Sequence, residues 1–553
     1  MRISMSRVAA LAVAAMLAAA CAGDSDDVAE LETDAADVED AEDAEDAEDS
    51  TDAVTEDEDP LTVVWSQISE TPTLDPAVIF STDGLVFARN VYEGLVEFEP
   101  FTNEVRPGLA TEWEVADDDV TYTFHLREGV SFHDGSELNA EVAAAGLQRI
   151  IDVNQGPATN AVSIESVRAA GEMELELVLR QPDFTFMGRV GKLPIVSLQA
   201  WEENATDDDP LATEWFTENA AGTGPYELAD WERNQAIHLT RYDGYWRDWD
   251  PATPERVVIR LDPDVATSMQ LLQAGEVDML GSVGPDDSAR AETIPGVQLI
   301  RQPSFEVRKA YMNVNKEPMD DVRVREAISL AFDYQAMADF YQGFGEIPRG
   351  PVPSGLDGQG DLHPPMEQDM DRARELLTEA GYPDGGFEVD FLGLAAVADQ
   401  EFAANILTQQ LGELGITVRQ NLNPWPQMVE IQSNPDAAME MSFQNHRAQA
   451  GDPASFLRTG YATSNQADRG GWNWGYYSNP TLDAMLDEYV TIEEDAERVA
   501  LASEMIQMVR DDHVGVYVIE PTIAQPVREG WEVWYESLEG NNVVRFFFTR
   551  YDP

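Results

Sequence analysis

From Val120 the chain alternates apolar and polar positions: Val120, Tyr122, Phe124 and Leu126 lie on one side of an extended segment, Thr121, Thr123 and His125 on the other. A period of two marks a half-buried strand. Glu128-Gly129 is a turn signal, and a second short run at Val130 and Phe132 closing on Asp134-Gly135 predicts a hairpin-like element. Further strands are expected at Leu61–Trp65, within Ile164–Leu179 (where Leu175, Leu177 and Leu179 alternate), and at Ile237–Leu239, Val257–Leu261, Ile416–Leu422 and Val514–Ile519. Helical spacing appears elsewhere. Asn139 is a good N-cap for a helix through Ile151, and Met269–Leu280 opens with a short helix stopped near Gly275. Val322–Phe340 reads as one amphipathic helix with Val324, Ala327, Ile328, Ala331 and Phe332 on a single face. Met370–Ala380 and Phe402–Leu414 end at Gly381 and Gly415. Asn479-Pro480 opens a helix whose stripe is Leu482, Met485, Leu486 and Tyr489, and another helix covers Asp495–Val509. Strands and helices alternate throughout, which is a mixed α/β pattern. The 553 residues exceed what one core can hold, so two or three lobes are expected.

The N-terminus departs from this pattern. Arg2 and Arg7 precede an apolar run, Val8–Ala20, too short to span a bilayer as a permanent helix, so residues 1–20 read as a signal peptide. The run ends Leu17-Ala18-Ala19-Ala20-Cys21, and Cys21 is the only cysteine of the chain. No disulfide can form within the chain. Asp24–Asp59 contains 20 acidic residues and no basic one. Such a segment has too little apolar surface to offset its ordering entropy and is expected to be a disordered tether. Setting it and the two leader arginines aside leaves 85 acids against 32 bases, a net charge near −53. A field of that sign disfavours nucleic acid and anionic lipid as partners.

Enzyme signatures are absent from the sequence. The six histidines (125, 133, 238, 363, 446 and 513) are scattered; there is no HExxH, CxxC, Walker A or GxSxG pattern. His125 and His133 read as surface or hydrogen-bonded structural residues. No catalytic residue, metal ligand or cofactor is predicted.

The stretch Val120–Gly135, with Leu109-Ala-Thr-Glu-Trp-Glu114 before it, resembles the signature of the family 5 extracellular solute-binding proteins, the peptide, nickel and oligosaccharide receptors of ATP-driven importers. Other segments resemble the family as well: Thr73-Leu-Asp-Pro76, Asn90-Val-Tyr-Glu-Gly-Leu95, Gly222-Thr-Gly-Pro-Tyr226, Tyr242–Trp246, the Arg323/Arg325/Ala327/Asp333 helix, and Tyr477-Ser-Asn-Pro480. The likeness runs from Leu61 to about Tyr551. It implies a bilobal periplasmic-binding-protein-like type II fold with an extra third lobe. Lobe I would comprise 61–91, 222–312 and 526–553, lobe II 92–221 and lobe III 313–525, following the signal peptide (1–20) and the lipidated, acidic segment (21–60). Leu17–Cys21 resembles a lipobox with Ala18 where Leu is usual, which implies a lipid on Cys21 and an extracytoplasmic protein held at the cell membrane.

The resemblance also implies a site. Phe80-Ser81-Thr82, read as a strand after the Leu-Asp-Pro turn, would pair with an extended ligand. Trp425, between Pro424 and Pro426, is expected in a surface loop of the cleft, with Trp474 as a second aromatic platform. Met439–Asn445 would enter the cleft as a strand and lead through His446, Arg447 and Gln449 to Asp452-Pro453. Peptide receptors of the family bind the ligand's ammonium with an aspartate at the position of Gln449. An amide there gives no charge-assisted bond, and Arg447 would repel an ammonium or anchor a carboxylate. The function implied is that of a monomeric receptor that traps a peptide, peptide-like solute or oligosaccharide by hinge closure and passes it to permease subunits with their ATPases. A secreted hydrolase and a ligand sensor for a signalling partner are the alternatives.

Overall fold

The structure, a computed structural model, describes residues 59–552 apart from 80, 100–104, 184–185, 282, 357–362, 396, 448–451, 493 and 537–542. The signal peptide, Cys21 and the acidic tract lie outside the described residues. No helix among the described residues is long and apolar enough to cross a membrane.

A twelve-stranded mixed sheet runs through the molecule. Thr62–Gln67 lies parallel between Arg256–Leu261 and Met279–Leu280. At the other end Glu388–Leu394 lies parallel between Thr417–Asn423 and Met441–Arg447, and the last of these pairs antiparallel with Glu306–Met312. One long strand, Gly515–Arg528, joins the two halves. Its first residues pair with Glu306–Met312 and its residues 522–528 with Val297–Pro303. The chain therefore crosses between the halves twice in adjacent strands, at Ser304-Phe305 and at Glu520-Pro521, where Phe305 takes a positive φ of 47°. Four apolar clusters accompany this layout. The largest gathers residues between Phe305 and Ala524, a second is built on Trp65, Tyr226 and Phe546, a third on Phe124, Leu147 and Leu177, and a small fourth on Met269 and Leu272.

Most predicted elements form where the pattern puts them. Asn139 caps Ala140–Val153 by accepting from Val142 N at 3.0 Å, and Asn479 caps Pro480–Tyr489, whose predicted stripe is buried. Gly275 sits at φ 78° as the left-handed stop of Val265–Ala274, a conformation that favours glycine.

Several expectations are corrected. Thr121–Leu126 is a strand, but Val130 and Phe132 are not its hairpin partner; it pairs with Ala110–Val115 and Glu174–Leu179. Alternation defines which face is buried and says nothing about which strand lies alongside. The long helix from Val322 breaks into Val322–Ala331 and Tyr334–Phe340, because Asp333 turns out of the helix and caps the second piece through Ala336 N. The strand ending at Ile519 continues to Arg528, carrying the crossing.

The Leu-Asp-Pro turn has a structural explanation. Asp75 receives both ends of the Arg149 guanidinium (2.9 and 2.7 Å), and each side chain is only 1% exposed. Arg149 also lies over the Phe216 ring at 4.3 Å. A buried pair with this bidentate geometry ties helix Ala140–Val153 to the turn. The Gly-Thr-Gly-Pro-Tyr segment is a close approach: a Cβ at Gly222 would lie 2.0 Å from the Val91 carbonyl, and Gly224 N donates to that same oxygen at 3.0 Å.

Candidate ligand-binding cleft

Where strand Thr62–Gln67 ends at its carboxyl edge, the chain lines a cavity of about 500 Å³. Ligands of open α/β sheets lie at this edge, and the volume suits a small solute. One wall comes from Trp65, Ser66, Ile68, Ser69 and Asp83 with Leu280, Gly281 and Val283–Pro285; the facing wall comes from Glu306, Arg308, Tyr341, Asp399 and Arg447, with Phe340 and Phe344 beside them. Residues of the two crossings, Ser304 and Pro521–Ile523, close the base.

The charged wall is ordered. Glu306 and Arg447 are direct cross-strand partners, and Glu306 and Arg308, two apart on one strand, share a face. Glu306 Oε2 accepts from Arg447 Nε at 2.6 Å and Oε1 from Arg308 Nε at 2.7 Å. Burial would raise the Glu306 carboxyl, but the Arg447 and Arg308 guanidiniums outweigh it and hold it down at about 2. Arg308 Nη1 donates to the Tyr341 hydroxyl at 2.6 Å and to Asp399 Oδ2, while Tyr341 donates to the same Asp399 oxygen at 3.0 Å. Burial opposes the Arg308 charge, yet Glu306, Tyr341 and Asp399 raise its pKa well above the usual arginine value. On the facing wall burial raises the Asp83 carboxyl.

The structure brings only part of the expected set to this cavity. Arg447 lines it, held by Glu306. Ser81 is exposed and is the N-cap of helix Thr82–Val91, accepting from Gly84 N at 3.2 Å, so the segment is a helix start and not a strand; Phe80 lies outside the described residues. Asp83 of that first turn reaches the cavity. Trp425 opens helix Trp425–Gln432 in place of the expected loop, since proline is well suited to a first helical turn. It is 39% exposed and lies parallel to Trp472 and Trp474, with ring centroids 5.9 and 5.4 Å away; none of the three lines the cavity. Trp474 is itself a core residue, 2% exposed.

Asn445 is half-buried opposite Arg308 in the sheet, and Gln449 lies outside the described residues. His446 points to the other face of its strand and is 4% exposed. There its Nδ1 meets Lys309 Nζ at 2.7 Å, Lys309 also donates to the Tyr461 hydroxyl at 2.7 Å, and the Phe456 ring lies 3.8 Å from the imidazole. Burial pushes Lys309 well below the usual lysine value, and burial with Lys309 nearby does the same to His446. His133 is likewise internal, its Nε2 2.9 Å from the Gly224 carbonyl oxygen, with burial lowering it to about 4. Among the described residues no cluster of three or more His, Cys, Asp or Glu could hold a metal ion.

Glu306, Arg308, Tyr341 and Asp399 were not singled out from sequence. The one local signal was the charged pair Glu306/Arg308 on one face of a short strand that also carries Lys309 on the other; Tyr341 and Asp399 arrive from segments distant in the chain.

Comparison with known proteins places this architecture. Residues 104–468 match the family described as bacterial extracellular solute-binding proteins, family 5 Middle. Heme-binding protein A of Haemophilus influenzae is 29% identical over 451 residues, covering 77% of this chain and 81% of its own. The dipeptide-binding protein of Escherichia coli K12 is 25% identical over 465 residues (79% and 85%). Among solved structures, HbpA2 from Haemophilus parasuis superposes with a TM-score of 0.79 at 23% identity, covering 89% of this chain and all of its own. AppA of Bacillus subtilis, in complex with a nonapeptide, gives 0.73 at 19% (90% and 100%).

Proposed function

The chain belongs to the bacterial extracellular solute-binding proteins of family 5, and on that premise we propose that it is the receptor subunit of an ATP-driven importer, capturing a solute outside the cytoplasm and delivering it to a membrane permease. The observation that carries the mechanism is the position of the cavity. It lies between two sheet halves joined by the adjacent crossings at Ser304-Phe305 and Glu520-Pro521. A solute touching Ser66–Ser69 on one wall and Arg308 on the other gains both sets of contacts only when the walls approach, so binding favours the closed form. The permease then reads that form.

In this reading three lobes move as bodies, lobe II being 92–221, and the boundary between lobes I and III lies at the crossings Ser304-Phe305 and Glu520-Pro521 in place of the expected 312/313 and 525/526, because Phe305–Met312 packs in the cluster that runs to Ala524 and pairs with its strands. The ligand is a peptide, peptide-like solute or oligosaccharide, and no bond is made or broken by this chain. Cys21 carries the lipid that holds the protein at the membrane behind the acidic tether, residues 1–20 are removed, and the receptor acts as a monomer. Small-angle scattering tests the hinge: a ligand that shifts the melting temperature should also reduce the radius of gyration, and tight binding without compaction would refute closure. Turnover of peptides or glycans by the purified protein would refute the receptor reading itself. Intact-mass analysis of membrane-extracted protein tests the lipid on Cys21.

A further inference from the structure

We propose that Arg308 is the anion-receiving group of this cleft, so that the captured solute carries a carboxylate; the proposal rests on the receptor reading above. Arg308 is braced on three sides. Glu306 takes its Nε (2.7 Å), and Tyr341 (2.6 Å) and Asp399 take its Nη1. Nη2 makes no hydrogen bond to any described residue, yet it is not buried, and the side chain is 20% exposed on a residue that lines the cavity. A guanidinium fixed by three partners has already lost its rotamer freedom. A carboxylate meeting the remaining nitrogen therefore gains a charge-assisted bond at little entropic cost.

The acids of the same wall cannot serve a cationic ligand equally. Both Glu306 oxygens are engaged by arginine Nε groups, and Asp399 Oδ2 accepts from Arg308 and Tyr341; the two side chains are only 2% and 9% exposed. Arg447, 37% exposed on the same wall, adds a second positive charge beside the first. In a chain of 34 basic and 105 acidic residues, two guanidiniums lie side by side at this cavity, their charge balanced by the enclosed Glu306 and Asp399, and Arg308 Nη2 is the nitrogen left for an anion. Ile68, 48% exposed, and the rings of Phe340 and Phe344 give the rest of the cavity an apolar flank. The solute fitted by these surfaces is a small acid with an apolar body.

The test uses the full chain and matched probes: N-acetyl dipeptides as free acids and as C-terminal amides, and trigalacturonate with its methyl ester, by thermal shift and titration calorimetry. Acids should bind about 10- to 100-fold tighter than their neutral partners. Because Arg308→Gln alone strands Asp399, the double variant Arg308→Gln/Asp399→Asn keeps the wall neutral. It should bind acid and neutral member alike, while Arg308→Lys keeps part of the preference. A merely structural Arg308 would lower both affinities and leave their ratio unchanged. Equal binding of acid and neutral member to the wild type overturns the assignment and leaves the receptor reading standing. No binding by any probe counts against both.

Discussion

Glu520 lies where strand Gly515–Arg528 exchanges one partner for the other, paired with Glu346 across a two-residue ladder. Its Oε2 accepts from Ser354 N at 2.9 Å and Ser354 Oγ at 2.6 Å, while Oε1 is buried without a hydrogen-bond partner. Burial raises this carboxyl to about 7, against the lowering effect of the Ser354 bonds and with Glu346 adding to the rise. The cavity beside it is lined by Arg301, Glu306 and Glu346 among others, but Arg301 is paired with Glu292 and Glu306 with two arginines. From an ordinary value of 4.5 to about 7, the folded state binds the proton more tightly than the unfolded state. The sign follows: this group's contribution is fully present below about 4.5 and is lost as pH rises through about 7. The whole effect is about 3 kcal/mol, of which about 2 kcal/mol falls between roughly pH 5.5 and 8. Lower pH approaches the isoelectric point near 4.1 and invites precipitation. Glu520→Gln keeps an oxygen for Ser354 and removes the titration. Urea unfolding of both proteins at pH 5.5, 6.5, 7.5 and 8 should show the variant gaining about 2 kcal/mol relative to wild type across the series. A difference that stays constant with pH would sink the reasoning.

Three further outcomes are expected, two from the geometry and one from the sequence. Arg149→Met strands the buried Asp75 carboxylate and should cost about 3–5 kcal/mol, while the Asp75→Asn/Arg149→Met pair recovers a large part of it, measured by a double-mutant cycle in denaturant. Gly222→Ala drives a Cβ to 2.0 Å from the Val91 carbonyl and should lower the melting temperature more than the same change at Gly343, where nothing lies within 4 Å, although positive φ strains that control as well. With Gln449 in place of an aspartate, free di- and tripeptides should give weaker thermal shifts than N-blocked ones; micromolar binding of ordinary free peptides would remove the weight placed on that residue.

Part of this protein is legible in its sequence because the physics is local. Alternation at Tyr122, Phe124 and Leu126 gives a strand with one buried face, and Asn139, Asn479, Gly275 and Gly381 start and stop helices through their own backbone preferences and side-chain caps. The acidic tract and the lone Cys21 are likewise properties of composition and order. What sits beside what is a different matter. The partners of Thr121–Leu126 are set by packing across tens of residues, the helix from Val322 breaks because Asp333 finds a better use as a cap, and Trp425 stacks on Trp472 and Trp474 because helix Trp425–Gln432 presents it there. His446 and Arg447 are neighbours in sequence, yet strand alternation sends one into a core with Lys309 and the other to the cleft. The cleft wall itself joins Glu306, Tyr341, Asp399 and Arg447 around Arg308, residues spread over 142 positions of the chain. The order of hydrophobic and polar positions could determine the elements, and the resemblance of particular segments such as Val120–Gly135 and Gly222–Tyr226 the family. Only the folded sheet, crossing twice at Ser304-Phe305 and Glu520-Pro521, could decide which charges meet, because that meeting depends on long-range pairing and burial that no short stretch encodes.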